Sequence, residues 1–316
     1  MPELPEVTTT VNGLQKVLPG LSFVDVWTDL ARKNPIKQFR ETIKDETFYK
    51  KFKKEIVGAK VVSVERRAKN ILINLYPKPD KSGRARTILI HLKMTGHLIY
   101  GNYVFHKKEN KWTPDKNERE SLHDPFNRFT HVVFTLSNGK HLAFCDTRKF
   151  GKITLLDTDT AHNTKHLKDI GPEPLDKSFT FPVFKERIMH KPHGNIKTVL
   201  MDQTNIAGIG NIYSDEALWL ADIHPESKPK SIPLPTMKLL YKSIGIVLRK
   251  GIDFGGDSTS DYRNIDGERG KFQGEHNAYR KVKEKCGKRG CNGVILRKVI
   301  GGRSAHYCSV HQKLFK

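Results

Sequence analysis

Acidic residues are scarce in this 316-residue chain: 34 Asp and Glu stand against 56 Lys and Arg, so the formal net charge is +22. The sequence also lacks a run of about eighteen apolar residues, and no charged segment followed by an apolar one opens it. These absences argue against a membrane-spanning or exported protein, and we expect a soluble protein of the cytoplasm. The positive charge is spread along the chain, which predicts a folded surface that meets phosphates, with a merely solvated basic face as the alternative.

Cysteine is also scarce, and three of the four cysteines lie near the C-terminus in the pattern Cys286-x4-Cys291-x16-Cys308-x2-His311. Two close pairs separated by a hairpin-length spacer match a four-coordinate structural zinc site. A disulfide pair is the alternative, which a reducing intracellular environment disfavours. His306 competes with His311 as the fourth ligand, although His311 has the chelating spacing. Cys145 lies far away in an apolar run and is expected to belong to the core.

The chain opens with Met1-Pro2-Glu3, and removal of Met1 would leave Pro2 as a free secondary amine beside a carboxylate. A terminal amine has a pKa of about 7.7–8.0, against about 10.4 for lysine, so a larger fraction of it is neutral and nucleophilic. Such an amine condenses with a sugar carbonyl to an iminium ion, and the adjacent Glu3 can transfer the proton. The plain alternative is a small residue at a frayed terminus, but the helix that follows would hold the amine in place.

The first half of the chain predicts a β structure that follows one helix. Val7, Val11, Leu14 and Leu18 recur at helical spacing and Pro19-Gly20 ends the pattern. Ser137-Asn138-Gly139-Lys140 carries the Asn-Gly signal of a tight hairpin. Short apolar or alternating runs predict strands at Ser22–Thr28, Lys60–Glu65, Ile71–Tyr76, Thr87–Leu92, His97–Phe105, Thr130–Leu136, His141–Phe144 and Ile153–Leu156.

The second half predicts a helical domain. Between Asp157 and Ser178 the strand pattern gives way to polar residues, glycine and proline, which marks a domain boundary. Helical spacing follows, and the segment Ala207–Tyr213 between two of these helices carries a Gly-x-Gly that suits either a phosphate or a tight turn. In the first half of the chain, the charged segment Lys107–Asn127 lies between two predicted strands and is predicted to be a solvated hairpin insertion. The helical runs are Phe181–His190, Ile196–Gln203, Ile212–Leu220 and Met237–Arg249.

A series of motifs resembles, in order and spacing, those of the bacterial formamidopyrimidine-DNA glycosylases along nearly the whole chain. They are Pro2-Glu3-Leu4-Pro5-Glu6-Val7, Arg66-Arg67-Ala68-Lys69, His91-Leu92-Lys93-Met94-Thr95-Gly96, Asp146-Thr147-Arg148-Lys149-Phe150-Gly151, Gly171-Pro172-Glu173-Pro174-Leu175, Leu200-Met201-Asp202-Gln203, Gly208-Ile209-Gly210-Asn211-Ile212-Tyr213 and the C-terminal cysteine pattern.

The resemblance implies a multidomain α+β fold. An N-terminal catalytic β-sandwich flanked by helices is expected over residues 1–158, and a linker over 159–178. A helix-two-turn-helix DNA-binding domain with a lesion-recognition loop is expected over 179–281, and a β-hairpin zinc finger with one structural Zn²⁺ over 282–316. The implied protein is a monomer that works on oxidised bases in double-stranded DNA near the nucleoid.

The implied activity is base excision repair: release of oxidised purines such as 8-oxoguanine and formamidopyrimidines, followed by β,δ-elimination of the strand at the abasic site. Pro2 matches the family nucleophile, and Glu3 the residue that handles the proton. Lys69 matches the lysine that assists β-elimination. Arg303 matches the finger arginine tied to δ-elimination and phosphate binding. As lone basic residues, Lys69 and Arg303 would otherwise be read as solvated side chains.

The family also implies which residues bind DNA. Met94, Arg148 and Phe150 match the three residues that fill the gap left by the extruded base, although two of them would otherwise be read as core. The remaining expected DNA contacts are Lys197 and Asn211, with Arg128 and Lys191 where the sequence departs from the family pattern. The zinc ligands Cys286, Cys291, Cys308 and His311 depart from it too, since the finger usually has four cysteines.

Two rival functions stay open at the level of sequence. A sister group of glycosylases prefers oxidised pyrimidines, but its N-terminal pattern usually has glycine where this chain has Leu4. The loop after Asp261 also resembles the segment that closes over an oxidised purine. A catalytically silent DNA binder is the other rival, and the joint presence of Pro2, Glu3, Lys69 and Arg303 argues against it.

Overall fold

The computed structural model describes residues 1–76 and 84–316 and divides the chain into two compact units. The first unit comprises Met1–Lys168 together with Gly255–Lys271, and the second comprises Asp169–Phe254 together with Phe272–Lys316. The domain bounds expected from the sequence include residues 255–271 in the helical domain. These residues join the first unit because Ile265, which is 4% exposed, is part of that unit's main hydrophobic core.

Helix α1, Leu4–Val17, opens the first unit. Glu3 is its N-cap residue, and its buried face carries Val7, Val11 and Leu14, as the spacing predicted. Gly13 lies on this helix where a β-carbon would come within 2.7 Å of Ile265, so only glycine admits the loop side chain. Helix α1 is therefore packed against both the strands' apolar side chains and Ile265 of the 255–271 loop, which share one core.

Two antiparallel four-stranded sheets form the body of the first unit. The strands of this unit are β1 (Phe23–Thr28), β2 (Val61–Arg67), β3 (Asn70–Leu75), β4 (Arg86–His91), β5 (His97–Gly101), β6 (Tyr103–His106), β7 (Lys111–Pro114), β8 (Thr130–Leu136), β9 (His141–Cys145) and β10 (Lys152–Asp157). The two sheets have the strand orders β1-β8-β9-β5 and β10-β4-β3-β2. Their inner faces, helix α1 and a second helix, α2 (Glu46–Ile56), enclose one cluster of buried apolar side chains, each of which stabilises the fold by about 1.5–3 kcal/mol. The predicted β-sandwich is confirmed.

Helix α2, Glu46–Ile56, was not predicted. Its N-cap Asp45 accepts hydrogen bonds from the backbone N–H groups of Thr47 and Phe48, and its apolar face buries Phe52 and Ile56. Charged residues fill the rest of this helix, so its narrow apolar stripe does not stand out in the sequence. The cap followed by a stripe at helical spacing is the signal that could have found it.

The segment Lys107–Asn127 is more than a solvated hairpin. Strand β7 pairs with β6, as a hairpin requires, but the chain then returns to the protein body through two short 3-10 helices, Glu120–His123 and Pro125–Arg128. Leu122 and Asn127 are fully buried there. The prediction was wrong in this part because the buried residues are isolated among charged ones and have no periodicity.

Four helices and one hairpin form the second unit. The helices are α3 (Phe181–Met189), α4 (Ile196–Met201), α5 (Asn211–Leu220) and α6 (Leu234–Asp253), close to the four predicted runs. Strands β11 (Ile295–Ile300) and β12 (Arg303–Cys308) pair antiparallel around Gly301-Gly302. Across the described residues of both units, no helix is long and apolar enough to cross a membrane.

Candidate functional site

The N-terminal turn of the first unit is held by a reciprocal capping box. The backbone N–H of Glu3 donates to Glu6 Oε2 over 2.7 Å, while the Glu3 side chain accepts from the backbone N–H of Glu6. Pro2 is buried, and the two glutamates are 2% and 1% exposed. Met1 is present, so the Pro2 nitrogen is an amide that stands in for the amine of a processed chain. This turn holds residue 2 at the start of a helix, with a carboxylate beside it.

A group of cationic side chains gathers around the end of β4. Burial, and then the charges of Lys93, Lys69 and Lys152, lower the pKa of His91 from 6.5 to about 3. The His91 ring is consequently neutral, and its Nδ1 accepts the backbone N–H of Lys93 at 3.0 Å. Lys69 is 4% exposed and lies in the turn between β2 and β3. Several positive charges that face a neutral imidazole make a site suited to phosphate.

The three residues expected to fill the DNA gap occupy two neighbouring turns. Met94 follows β4 and is half-buried, whereas Phe150, which precedes β10, is 46% exposed. The guanidinium of Arg148 lies 4.7 Å from the centre of the Phe150 ring. A cavity of about 370 Å³ opens beside them, lined by Met1, Gln38, Phe39, Thr42, Lys93, Met94, Phe150, Gly151 and Lys152. An exposed aromatic ring with a stacked cation is not an ordinary core arrangement.

Asp146, which is fully buried, joins these two turns. Its Oδ1 accepts the Thr95 hydroxyl at 2.5 Å and the Arg148 backbone N–H at 3.3 Å, and its Oδ2 accepts the Gly151 N–H at 2.7 Å. From the other side Lys44 donates to the Lys149 carbonyl at 2.6 Å. Burial lowers the pKa of Lys44 to about 8. Met94, Arg148 and Phe150 thus lie on turns whose backbone is held in place by hydrogen bonds.

Left-handed backbone recurs beside the expected DNA residues. Ala68, Lys93 and Lys149 have φ values of 52°, 59° and 56°, and they precede Lys69, Met94 and Phe150 respectively. A non-glycine residue in this region costs about 1–2 kcal/mol. Such strain is typically retained at functional sites, where surrounding contacts enforce it.

The loop of residues 255–271 borders both the N-terminal turn and the Arg148 turn. Glu6 Oε1 accepts the backbone N–H of Asp257 at 2.7 Å, and the Tyr262 hydroxyl donates to the Glu6 carbonyl at 3.0 Å. The Thr147 hydroxyl donates to Asp261 at 2.8 Å. Residues far apart in the sequence are thus gathered into one site on the first unit.

Lys197 does not lie where sequence reasoning placed it. Its side chain is fully buried in the second unit, where Nζ lies 2.5 Å from Asp215 Oδ1 and 3.2 Å from the Ser214 hydroxyl. The other oxygen of Asp215 accepts both the backbone N–H and Nδ1 of His306. In this structure the Lys197 ammonium group is paired with Asp215 and has no exposure to solvent, which does not support the expected phosphate contact. Lys197 connects α4, α5 and the hairpin strand β12 instead.

The remaining expected DNA residues are accessible. Arg303 begins β12 beside the Gly301-Gly302 turn and is exposed, as are Arg128 and Lys191. Lys191 forms an ion pair with Asp202. Asn211 is half-buried and is the first residue of α5, the helix end whose dipole favours anions.

Cys286, Cys291, Cys308 and His311 converge at the hairpin of the second unit, with ligand atoms all within 4.8 Å of one another. Cys291 Sγ and Cys308 Sγ are 3.5 Å apart, which rules out a disulfide between them, and His311 Nδ1 lies 3.3 Å from Cys286 Sγ. Nε2 of His311 hydrogen-bonds to the Trp219 carbonyl at 3.2 Å and so leaves Nδ1 for a metal.

The spacing of these donors fits a tetrahedral ion. A metal–sulfur bond of about 2.3 Å gives ligand–ligand edges of about 3.8 Å, near the observed separations. His306, the competing ligand from the sequence, is engaged with Asp215 and lies outside the cluster. Cys145 is buried in a separate apolar cluster of the first unit, where burial raises its pKa to about 12.

Several site residues were missed from the sequence. Glu6 and Asp146 lie within recognised motifs, yet each acts through backbone groups that only the fold brings near. The contacts of Asp261 and Arg263 join segments more than a hundred residues apart. Both residues lie in the loop beginning at Asp261 that resembles the segment closing over an oxidised purine, but the sequence shows neither of their partners.

Known proteins match this chain along nearly its whole length. Models described as the formamidopyrimidine-DNA glycosylase N-terminal domain and the formamidopyrimidine-DNA glycosylase H2TH domain match residues 1–153 and 170–263. The formamidopyrimidine-DNA glycosylase of Pelotomaculum thermopropionicum is 36% identical over 317 residues, which cover 99% of this chain and all of the relative.

Solved structures of protein–DNA complexes match as well. A Lactococcus lactis Fpg variant in complex with Fapy-dG-containing DNA has a TM-score of 0.79 and 31% identity, with 99% of this chain and 100% of that chain covered. MutM in complex with DNA that contains carbocyclic 8-oxo-G has a TM-score of 0.77 and 30% identity over the same shares.

Proposed function

The chain belongs to the formamidopyrimidine-DNA glycosylase family, and on that premise we propose that it excises oxidised purines from duplex DNA and then cleaves the strand. The observation that carries this proposal is the capping box of the N-terminal turn, which holds Pro2 and Glu3 together at the start of α1. Relatives whose complexes contain Fapy-dG or 8-oxo-G support the purine preference. The site of action would be the cytoplasm, at the nucleoid, with the protein working as a monomer.

The first chemical step would be attack by Pro2. After removal of Met1, the neutral amine of Pro2 forms a bond to C1′ of the damaged nucleoside while the C1′–N bond to the base breaks. The base leaves with that electron pair and takes up the N–H proton that the Pro2 nitrogen loses. Glu3, in its protonated form, then donates a proton to the ring oxygen as the C1′–O4′ bond opens, and the lone pair restored to the nitrogen completes an iminium ion. A buried carboxylate one residue from the amine has the position for this transfer.

Strand cleavage would follow from the iminium ion. It acidifies the C2′ hydrogen, so removal of that proton by a base expels the 3′ phosphate, and a second elimination expels the 5′ phosphate. Lys69 would stabilise the charge that develops on a leaving phosphate, and exposed Arg303 would do so from the hairpin of the second unit. Ala68, the residue before Lys69, has a left-handed backbone conformation. This supports the proposed role, because the fold enforces the position of the Lys69 side chain.

The DNA contacts we propose are Met94, Arg148, Phe150, Arg128, Lys191 and Asn211. The exposed Phe150 ring and the stacked Arg148 suit a gap in the base stack, since an apolar ring replaces stacking and a guanidinium offers hydrogen bonds to the orphaned base. The hydrogen bonds of Asp146 to the two turns support this role, because side chains that enter the base stack must keep their positions against the neighbouring bases.

One Zn²⁺ is the metal we propose for Cys286, Cys291, Cys308 and His311. Thiolate and imidazole donors at tetrahedral separations favour zinc over harder cations. The ion would be structural: it would fix the ends of β11 and β12 and so hold Arg303.

The experiment is a side-by-side measurement of single-turnover cleavage on duplexes with 8-oxoguanine opposite cytosine, a ring-opened purine, an oxidised pyrimidine or a preformed abasic site. We expect the two purine lesions to be cut faster than the pyrimidine. A clear pyrimidine preference would assign the protein to the sister group, and tight binding without any cleavage would make it a silent lesion binder.

A further inference from the structure

The loop of residues 255–271 has a third set of contacts, to the segment Arg119–Phe126 that follows β7. These contacts are distinct from those to Glu6 and Thr147, and none of the residues in this segment belongs to the catalytic or DNA-binding groups proposed above. The segment lies entirely within the first unit. It is the part of the chain that the sequence predicted to be a solvated insertion.

Arg263 is the centre of these contacts. Arg263 is 2% exposed, and its Nε and Nη2 donate to the Asp124 carboxylate at 3.0–3.1 Å. Its Nη1 donates to the carbonyls of Ser260 and Tyr262 at 3.0 and 2.8 Å, so the guanidinium also ties the loop to itself. The Phe126 ring covers it at 4.8 Å. A buried guanidinium with its donors engaged is costly to disturb, because loss of one partner leaves an uncompensated charge.

Asp266 provides a second attachment three residues further along. Its carboxylate lies 2.5 Å from the Arg119 guanidinium, and its carbonyl accepts the Ser121 hydroxyl at 2.6 Å. Gly267, with φ of 78°, follows directly, and a β-carbon there would lie 2.5 Å from the Ser121 carbonyl oxygen. The loop and the segment are therefore in close backbone contact as well as ion-paired.

We propose that the segment Arg119–Phe126 holds the 255–271 loop in its base-receiving conformation before DNA binds, with Asp124 and Arg263 as the positioning pair. This inference rests on the proposed function. A loop that is already ordered loses less conformational entropy when a base enters, so recognition of the base is stronger for the same contacts. The contacts to Glu6 and Thr147 place this loop against both the nucleophile's turn and the wedge turn.

The consequence is a division between two activities. Excision of a damaged base needs the loop, whereas cleavage at a preformed abasic site presents no base to it. Weakening the positioning pair should therefore lower excision selectively. A purely structural role of the pair would lower both activities together.

The experiment compares Asp124→Asn and Arg119→Gln with the wild type. Asp124→Asn keeps an oxygen for the Phe126 N–H but removes the charge that faces Arg263, and Arg119→Gln removes an exposed contact at low risk to folding. Asp115→Asn, which caps the nearby turn at Asn117, is the matched control. For each protein the single-turnover rates on 8-oxoguanine and on a preformed abasic site are measured, along with amide hydrogen exchange of residues 258–270.

We expect Asp124→Asn to lower excision by at least about tenfold, with abasic-site cleavage changed by no more than about twofold and faster exchange in the loop. Arg119→Gln should change the excision rate, the abasic-site cleavage rate and the loop exchange in the same directions by smaller amounts. Asp115→Asn should resemble the wild type in all of these measurements. Equal losses on both substrates, or unchanged exchange in the loop, would overturn the inference. A wild type that cuts neither substrate would overturn the proposed function instead, while hydrogen exchange would still decide whether the pair orders the loop.

Discussion

The Thr95 hydroxyl donates to Asp146 Oδ1 over 2.5 Å and accepts the Arg148 backbone N–H at 3.2 Å, so this one hydroxyl connects the turn that carries Met94 to the turn that carries Arg148 and Phe150. Asp146 is fully buried and accepts from backbone groups of the second turn as well. The two turns therefore behave as one unit, and the three side chains proposed to enter the DNA share one support.

Thr95→Val should loosen that support. Loss of a hydrogen bond to a buried carboxylate should lower the free energy of unfolding by about 1.5–3 kcal/mol. Insertion of the wedge should weaken too, because the turns can then move independently. Urea denaturation and the fluorescence of a base analogue beside the lesion would measure the two effects. Thr95→Ser, which keeps the hydroxyl, is the control, and an unchanged Thr95→Val would show that the bond is dispensable.

Borohydride should trap a covalent adduct between lesion-bearing DNA and the processed N-terminus. Pro2→Gly should lose most of this trapping, and Glu3→Gln should lose base excision while it retains some cleavage at preformed abasic sites. A protein that retains Met1 should be inert, because its Pro2 nitrogen is an amide. Peptide mapping by mass spectrometry identifies the modified residue. Efficient trapping by the Met1-retaining protein would point to another nucleophile, with Lys69 the first candidate.

Lys197→Met should destabilise the protein without removing a DNA charge contact. The variant leaves Asp215 buried with one partner fewer, which costs about 3–5 kcal/mol in the free energy of unfolding. The slope of log affinity against log salt should stay the same for Lys197→Met and fall by about 0.9 for Arg303→Ala, whose side chain is exposed. A smaller slope for Lys197→Met and an unchanged slope for Arg303→Ala would show that Lys197, and not Arg303, contacts a DNA phosphate.

The purified protein should contain one zinc per chain. Cys308→Ser should lose the metal and weaken DNA binding, because the hairpin that carries Arg303 loses its fixed end. Cys145→Ser removes a buried thiol of the other unit and should keep the zinc. Metal analysis by mass spectrometry, together with a DNA-binding titration, compares the two. Zinc-free protein with full DNA affinity would refute the assignment.

Acid should destabilise the first unit through His91 and His166. Burial and neighbouring lysines lower the pKa of His91 to about 3 and that of His166 to about 4, from an ordinary value of 6.5. Below pH 6.5 the two histidines bind protons in the unfolded chain but stay neutral in the native protein. The free energy of unfolding therefore falls as the pH drops toward the native pKa values. His91→Asn should flatten this dependence between pH 7.5 and 5 in urea denaturation.

Local signals explain what could be predicted from the sequence. The stripe of α1, the Asn-Gly hairpin before His141 and the pairing of Cys286 with Cys291 each lie within a short stretch of chain, where spacing alone determines geometry. Lys197 shows the opposite case. Its partner Asp215 is 18 residues away, and His306, which Asp215 also binds, lies a further 91 residues along the chain. A lysine in a motif is read as a surface charge unless its acidic partner is known.

The Asp124–Arg263 pair could not be foreseen for the same reason, since 139 residues separate its members. Asp146 was within a motif, but its role is exerted on backbone N–H groups, which every residue has and no sequence pattern displays. Helix α2 was missed because charged residues hide its narrow apolar stripe.

The attachment of Ile265 to the core of the first unit sets an order for biosynthesis. The strands of that unit leave the ribosome by residue 168, but the side chain that packs against Gly13 of α1 follows about a hundred residues later. At the usual pace of translation, the nascent β-sandwich would wait roughly 5–20 s with part of its interior open to water. The helices of the second unit are made during that interval. The first domain to begin folding is therefore among the last to be finished.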